Sequence, residues 1–178
     1  WLWRRWRIGT VVTMSIKRIA KHLLHTQRQV DRTFPRQILS AIERAIKASE
    51  TAHAGEIRFV VEGALDGVPL FKGQSARERA IDVFSQLRIW DTEHNNGVLI
   101  YLLLADRDVE IVADRGINAK VGAEEWEEIC RMMETDFKQG KFEDGVLSGI
   151  LAVTQHLIKN FPASSADRNE LPDRPVVL

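Results

Sequence analysis

Apolar positions recur along this chain with two periods, and the change from one to the other marks out the elements. Ile16, Ile19, Ala20, Leu23 and Leu24 repeat at helical spacing, with Lys17, Arg18, Lys21, His22, His25 and Arg28 on the remaining positions. This predicts a basic amphipathic helix that covers a core with its apolar face, as most such helices do. Pro35 restarts the chain after Thr33 as cap, and Ile38, Leu39, Ile42, Ala45 and Ile46 predict a second helix that frays near residues 53–55. From Glu56 to Glu62 the period drops to two: Ile57, Phe59 and Val61 fall on one side and Arg58 on the other, as in a strand. A Gly/Pro-punctuated loop follows over residues 63–73, with a short extended piece at Val68 to Phe71. Ser75 then caps a helix built on Ala80, Ile81, Phe84 and Leu87.

Val98 to Leu104 is almost continuously apolar, which predicts a central strand buried on both faces. Ala105-Asp-Arg-Asp108 is a turn, and Val109 to Ala113 is the return strand. Trp126, Ile129, Cys130, Met133 and Phe137 mark a long helix whose first turn is acidic (Glu124, Glu125, Glu127, Glu128), in keeping with the helix dipole, and Gly140 ends it. Val146, Leu147, Ile150, Leu151, Leu157 and Ile158 belong to a last helix. Strand, helix and strand in succession imply a right-handed parallel crossover. The hairpin adds an antiparallel strand, and helices on both faces complete an α/β/α sandwich with a small mixed sheet.

The chain ends read differently from its middle. Residues 1–36 hold nine basic residues against Asp31 alone, or +8, so that the rest of this formally neutral chain carries −8. A basic arm over 14–34 is suited to an anionic surface or to contact with the acidic body. Met14, followed by Ser15 and a helix, reads as a start, leaving 1–13 as upstream sequence; Trp1, Trp3 and Trp6 among Arg4, Arg5 and Arg7 are set aside with it. The folded core is expected over 35–161. The tail from Pro162 is rich in Pro, Ser, Asp and Asn and is expected to be disordered. Cys130 is the sole cysteine, which removes any internal disulfide and any cysteine-rich zinc site and favours a reducing, cytoplasmic compartment. No stretch approaches the ~20 apolar residues of a membrane span.

The hairpin has a chemical consequence. It returns the chain to the sheet end it left, so the loop at 91–97 and the loop at 114–116 become neighbours. If the first strand runs parallel to the second, Glu56 begins at that end too. Glu56, Asp91, Glu93, His94, Asn95, Asn96 and Asp114 then collect there. Carboxylate and amide oxygens from several loops are what Ca²⁺ or Mg²⁺ requires. The competing reading is plain turn chemistry at Asn95-Asn96-Gly97, with solvated acids around it.

Gly55-Glu-Ile-Arg58, Thr92-Glu93 with Asn96-Gly-Val-Leu99, Asp114-Arg-Gly-Ile117 and Phe137-Lys-Gln-Gly-Lys-Phe142, in that order and spacing, resemble the TPM domain family. That family is named for a thylakoid-lumen protein, a photosystem II repair protein and a modulator of a nicotinic receptor. The resemblance covers about residues 35–160. It implies an α/β/α sandwich, a binding or assembly module linked to membrane-protein maintenance, and in some members a cation held by loops at the sheet edge. Carried over, the metal positions are Asp91, Glu93, Asn96 and Asp114, with Glu56 as a weaker addition. Many relatives have an acid where this chain has Asn95, and one charge fewer weakens a cation site. The resemblance also implies a protein partner; most relatives are exported or membrane-tethered, whereas this chain shows neither signal nor anchor and resembles the subgroup lacking them, expected in the cytoplasm or peripheral at the membrane.

Two other activities compete. A phosphatase has been attached to the family, and the same loop acids would hold its metal and orient water. Asp106-Arg107-Asp108-Val109 after an apolar strand superficially resembles an aspartyl-phosphate motif, but it lies in a hairpin turn at the opposite end of the sheet. A membrane-surface adaptor acting through the basic helix is the other. Cys130 sits among Trp126 and Met133 as core, His94 reads as a loop residue before a general base, and no His pair has ligand spacing. No Walker loop or dinucleotide fingerprint is present, and no nucleic-acid partner is expected.

Overall fold

In the computed structural model, which describes residues 16–164 and 168–178, one mixed sheet divides the molecule. Its strands are β1 (Glu56–Glu62), β2 (Gly97–Leu103), β3 (Asp108–Ala113) and β4 (Val176–Val177), in spatial order β3-β2-β1-β4. β1 runs parallel to β2, with Glu56 opposite Gly97 and Glu62 opposite Leu103. β3 is antiparallel to β2, and β4 is parallel to β1. The strand–helix–strand crossover and the hairpin are thus present as the sequence implies. Arg107, at φ +53°, takes the left-handed conformation that closes the hairpin.

Helices follow in chain order: α1 (Ile16–Leu24), α2 (Gln27–Thr33), α3 (Arg36–Ser49), α4 (Gly67–Phe71), α5 (Ala76–Gln86), α6 (Arg115–Asn118), α7 (Ala123–Lys138) and α8 (Phe142–Asn160). Odd-numbered positions of β1 and even-numbered positions of β2 (Ile57, Phe59, Val61; Val98, Ile100, Leu102) face the layer made by α3, α7 and α8. The other face, with Val60, Leu99, Tyr101 and Leu103, packs on Leu70 of α4 and on Ala80, Val83 and Phe84 of α5. Every residue of β1 and β2 is buried, as an internal strand between two helical layers requires. Gly149 lets α8 approach α7 closely, because a β-carbon there would collide with Met133.

Local chemistry explains most boundaries. Ser75 accepts from the Glu78 amide while the Glu78 carboxylate accepts from Ser75 N, a reciprocal cap. Gly122 N donates to Glu125 Oε2 at the start of α7. Gly140, at φ +79°, follows its end. Pro35, not Thr33, precedes the first turn of α3.

Three expectations are corrected. Val68 to Phe71 is helical, because Gly67 at φ +51° turns the chain and Pro69 falls in a first turn, where its missing N–H costs nothing, so that Leu70 can be buried. Residues 115–116, read as loop, begin the short helix α6, with Asp114 as its cap. The tail is ordered where it is described: β4 extends the sheet beyond β1, Leu178 N donates to Val61 O, and Leu171 is buried. The suggestion that 1–13 is upstream sequence falls outside the described residues.

α1 does pack on the domain, but with the unexpected face. His22 is buried, its Nδ1 accepting from Leu65 N at 2.9 Å and its Nε2 lying 3.1 Å from Asp106 Oδ2. Arg18 Nε donates to the same Asp106 oxygen at 2.9 Å, and Arg18 NH2 donates to Gln74 O. Ile19 alone of the helical apolar set packs on the core, whereas Ile16, Leu23 and Leu24 are 83, 63 and 75% exposed.

Candidate functional site

The loops at 91–96 and 114–117 touch. Gly116 N donates to Asn95 O at 2.9 Å, Ile117 N donates to the same oxygen at 3.3 Å, and Asp114 N donates to Gly97 O at 2.9 Å. A side chain at Gly116 would collide with the carbonyl oxygens of His94 and Asn95, so glycine is what permits this approach. Antiparallel pairing of β2 and β3 up to Val98 opposite Ala113 is what delivers both loops to one end of the sheet. Glu56 starts β1 at that same end, opposite Gly97.

Each candidate takes a distinct place there. Asn96 is fully buried; its backbone N–H donates to Thr92 Oγ1 at 3.1 Å and its Nδ2 to Ala54 O at 2.8 Å, while Oδ1 is buried without a hydrogen-bond partner. Asp114 caps α6, its Oδ1 accepting from Arg115 N at 2.7 Å, and its Oδ2 is likewise buried and unpartnered. An oxygen buried without a donor costs roughly 1–3 kcal/mol, so two of them on contacting loops mark a place where something positive or hydrogen-bearing belongs. Asp91 and Glu93 are exposed on the loop between. His94 is exposed as well. Asn95 adopts φ +50°, and its Oδ1 accepts from Arg115 Nε at 2.9 Å. An acid at that position would face the guanidinium, so here the loop is closed by a neutral amide on a cation.

Glu56 is at this end of the sheet but is engaged elsewhere. Its carboxylate accepts from the amides of Glu170 and Leu171, at 2.9 and 3.2 Å. Burial raises its pKa above the usual carboxylate range, and those two donors only partly offset this. Glu170 in turn accepts from Glu93 N at 3.0 Å. The C-terminal segment therefore ties β1 to the 91–96 loop. Glu170 escaped sequence reading because it lies 77 residues from Glu93 in a stretch without periodicity. Nearby, burial pushes Glu50 up to about 9, helped by the adjacent carboxylates of Glu56 and Asp173, while burial pulls down the ordinary value of Arg58. Among the described residues no three or more His, Cys, Asp or Glu side chains are grouped to hold a metal ion. Any cation here would need the amide oxygen of Asn96 as well as carboxylates.

Asp106, at the opposite end of the sheet, is held by Arg18 and His22; burial alone would raise its carboxyl, yet those two partners hold it below the usual range. Cys130 is buried in the core and its thiol is pushed up to about 12 by that burial, far from a reactive thiolate. Tyr101 donates to Glu62 Oε2 at 2.7 Å, and Arg79 donates to the same oxygen at 2.8 Å, a buried network under α5. No helix among the described residues is long and apolar enough to cross a membrane.

A three-layer α/β/α domain with a mixed sheet and a pair of contacting loops at one sheet end defines the class. The TPM domain model matches residues 30–156, and the chain belongs to that family. It is similar to the BA42 protein of the psychrophilic bacterium Bizionia argentinensis, solved by NMR, at 33% identity over 80% of this chain and 93% of that one, with a TM-score of 0.70. The N-terminal domain of a P. gingivalis protein shares the fold at 21% identity, with a TM-score of 0.55 over 68% of this chain and 74% of that one. No curated protein matches the chain. The segment carrying β4 and most of α1–α2 lie outside the family match.

Proposed function

We propose that this chain is a TPM-domain binding module whose 91–96 and 114–117 loops take a hard divalent cation. The observation that carries this reading is the pair of buried, unpartnered oxygens, Asn96 Oδ1 and Asp114 Oδ2, on loops joined where Asp114 N donates to the carbonyl of Gly97, the residue after Asn96. Asn96 and Asp114 are the residues that would hold the ion, with Asp91 and Glu93 supplying further carboxylate charge from the exposed loop. Glu56 is left out because both its oxygens are occupied. A mixed set of amide and carboxylate oxygens is suited to the adaptable coordination of Ca²⁺ better than to the strict octahedron of Mg²⁺. The neutral Asn95 and the adjacent Arg115 lower the local negative charge, so affinity falls at the weak end of the Ca²⁺ range, roughly 10⁻⁴–10⁻³ M. When bound, the ion supplies a positive charge that joins the two loops and fixes the surface they present to a partner.

Titration of the ¹⁵N-labelled chain with CaCl₂ tests this. Saturable amide shifts are expected at residues 91–97 and 114–117, and Asp114→Ala should lose them while keeping the rest of the spectrum. A wild-type spectrum unmoved through millimolar Ca²⁺ would defeat the proposal.

A further inference from the structure

α1 is inverted relative to its own amphipathic pattern. On a helical wheel Ile16, Ala20, Leu23 and Leu24 share one side, and Arg18 and His22 the opposite one. The domain takes the polar side. His22 is buried between Leu65 N and Asp106, and Arg18 reaches both Asp106 and Gln74. That clasp fixes the rotation of the helix about its axis and turns the apolar side outward. Turning it the other way would remove two leucines and an isoleucine from water, which the hydrophobic effect favours. The polar docking therefore keeps a stripe in water that folding alone would hide.

What surrounds the stripe selects its occupant. Lys17 and Lys21 border it, both exposed, and Lys21 Nζ lies 3.8 Å from Asp106 with half of its side chain still in solvent. α1 contains no acidic residue. α2 continues with exposed Arg28 and Arg32. α4, which packs beside α1, adds two exposed apolar side chains, Val68 and Phe71, and the exposed Lys72. Apolar residues set among lysines and arginines are what an interfacial helix presents to a negatively charged bilayer: the apolar side enters the acyl boundary and the amines meet lipid phosphates. A groove on a protein partner would take the leucines equally well but leaves the bordering cations without a role.

We propose that the outward face of α1, built on Ile16, Leu23 and Leu24 and edged by Lys17 and Lys21, docks this chain on an anionic lipid surface. The proposal is independent of the cation reading, since α1 is anchored at the Asp106 end of the sheet and the two loops lie at the other. Docking holds the domain against the membrane with the loop pair directed away from the anchored end.

The test is co-sedimentation of the full chain with phosphatidylcholine vesicles, with and without phosphatidylglycerol, alongside sedimentation velocity without lipid. The wild type should partition onto the anionic vesicles and be released by salt. Leu23→Glu combined with Leu24→Glu, both at exposed positions and so compatible with an unchanged melting temperature, should weaken partitioning about tenfold or more. Lys17→Gln with Lys21→Gln should weaken it several-fold on anionic vesicles while leaving the apolar stripe intact. Failure of the wild type to bind anionic vesicles overturns the proposal. So does equal binding by the leucine variant, which would assign any lipid contact to another segment. A wild-type dimer that the leucine variant disperses, without lipid binding, would reassign the face to a second copy of the chain.

Discussion

α1 and α3 carry the same kind of pattern and use it in opposite ways. α3 lies across the sheet and places Ile42 and Ile46 in the core with no exposure at all. α1 lies at the hairpin end and turns its leucines to solvent. Periodicity states which residues share a face; it does not state which face meets protein. For α3 the neighbouring surface is apolar, made of β1 and α8. For α1 it offers Asp106 and the backbone around Leu65, and a part-buried carboxylate attracts Arg18 and His22 more strongly than it tolerates leucine.

The contrast is most sharply broken by paired truncations. Ile46→Ala should cost about 2–4 kcal/mol in chemical denaturation, whereas Leu24→Ala should change stability by less than about 0.5 kcal/mol. Comparable losses at both sites would mean that α1 buries its apolar side after all. Next in size is the anchor. Asp106→Asn removes the partner of Arg18 and His22 and should cost about 1–3 kcal/mol, with faster amide exchange confined to α1. Unchanged exchange in residues 16–24 would show that the clasp does not hold the helix.

The smallest effect separates the two helices by pH. The Asp106 carboxyl is depressed in the fold, so its contribution is present above the ordinary carboxylate pKa and is lost as pH falls through the lower folded value. Glu50, the residue that follows α3, is the reverse case. Its folded value of about 9 stands above the ordinary 4.5, so the fold is progressively disfavoured as pH rises between those values. Acid should therefore loosen α1, and alkali the end of α3. Glu50→Gln should gain about 1 kcal/mol at pH 8, less at pH 5, and flatten the melting curve between them. Parallel pH profiles for wild type and variant would remove this account of Glu50.

Much of the candidate site was legible. The apolar run at 98–104, the polar turn at 105–108 and the return at 109–113 together force two distant polar loops into contact, and the hydrogen bonds that Gly116 and Ile117 donate to Asn95 O are that contact. Asn96 and Asp114 each keep a buried oxygen without a hydrogen-bond partner, as Glu50 and Gln74 do elsewhere. Glu56 was placed at the right end, yet its chemistry was not readable, because the two amides that occupy it come from a tail whose few apolar residues show no period. A two-residue strand leaves no period to detect, and its pairing with β1 is decided by the edge that β1 leaves open.

By itself, then, the order of apolar and polar residues determined the β-α-β-hairpin topology, the two helical layers and the meeting of the two loops, because each follows from local period and chain direction. Only the tertiary structure decided how α1 is turned, where the tail lies and which side chains keep an unpartnered oxygen. Those outcomes depend on single buried polar groups finding partners scores of residues away, and no local pattern encodes such a pairing.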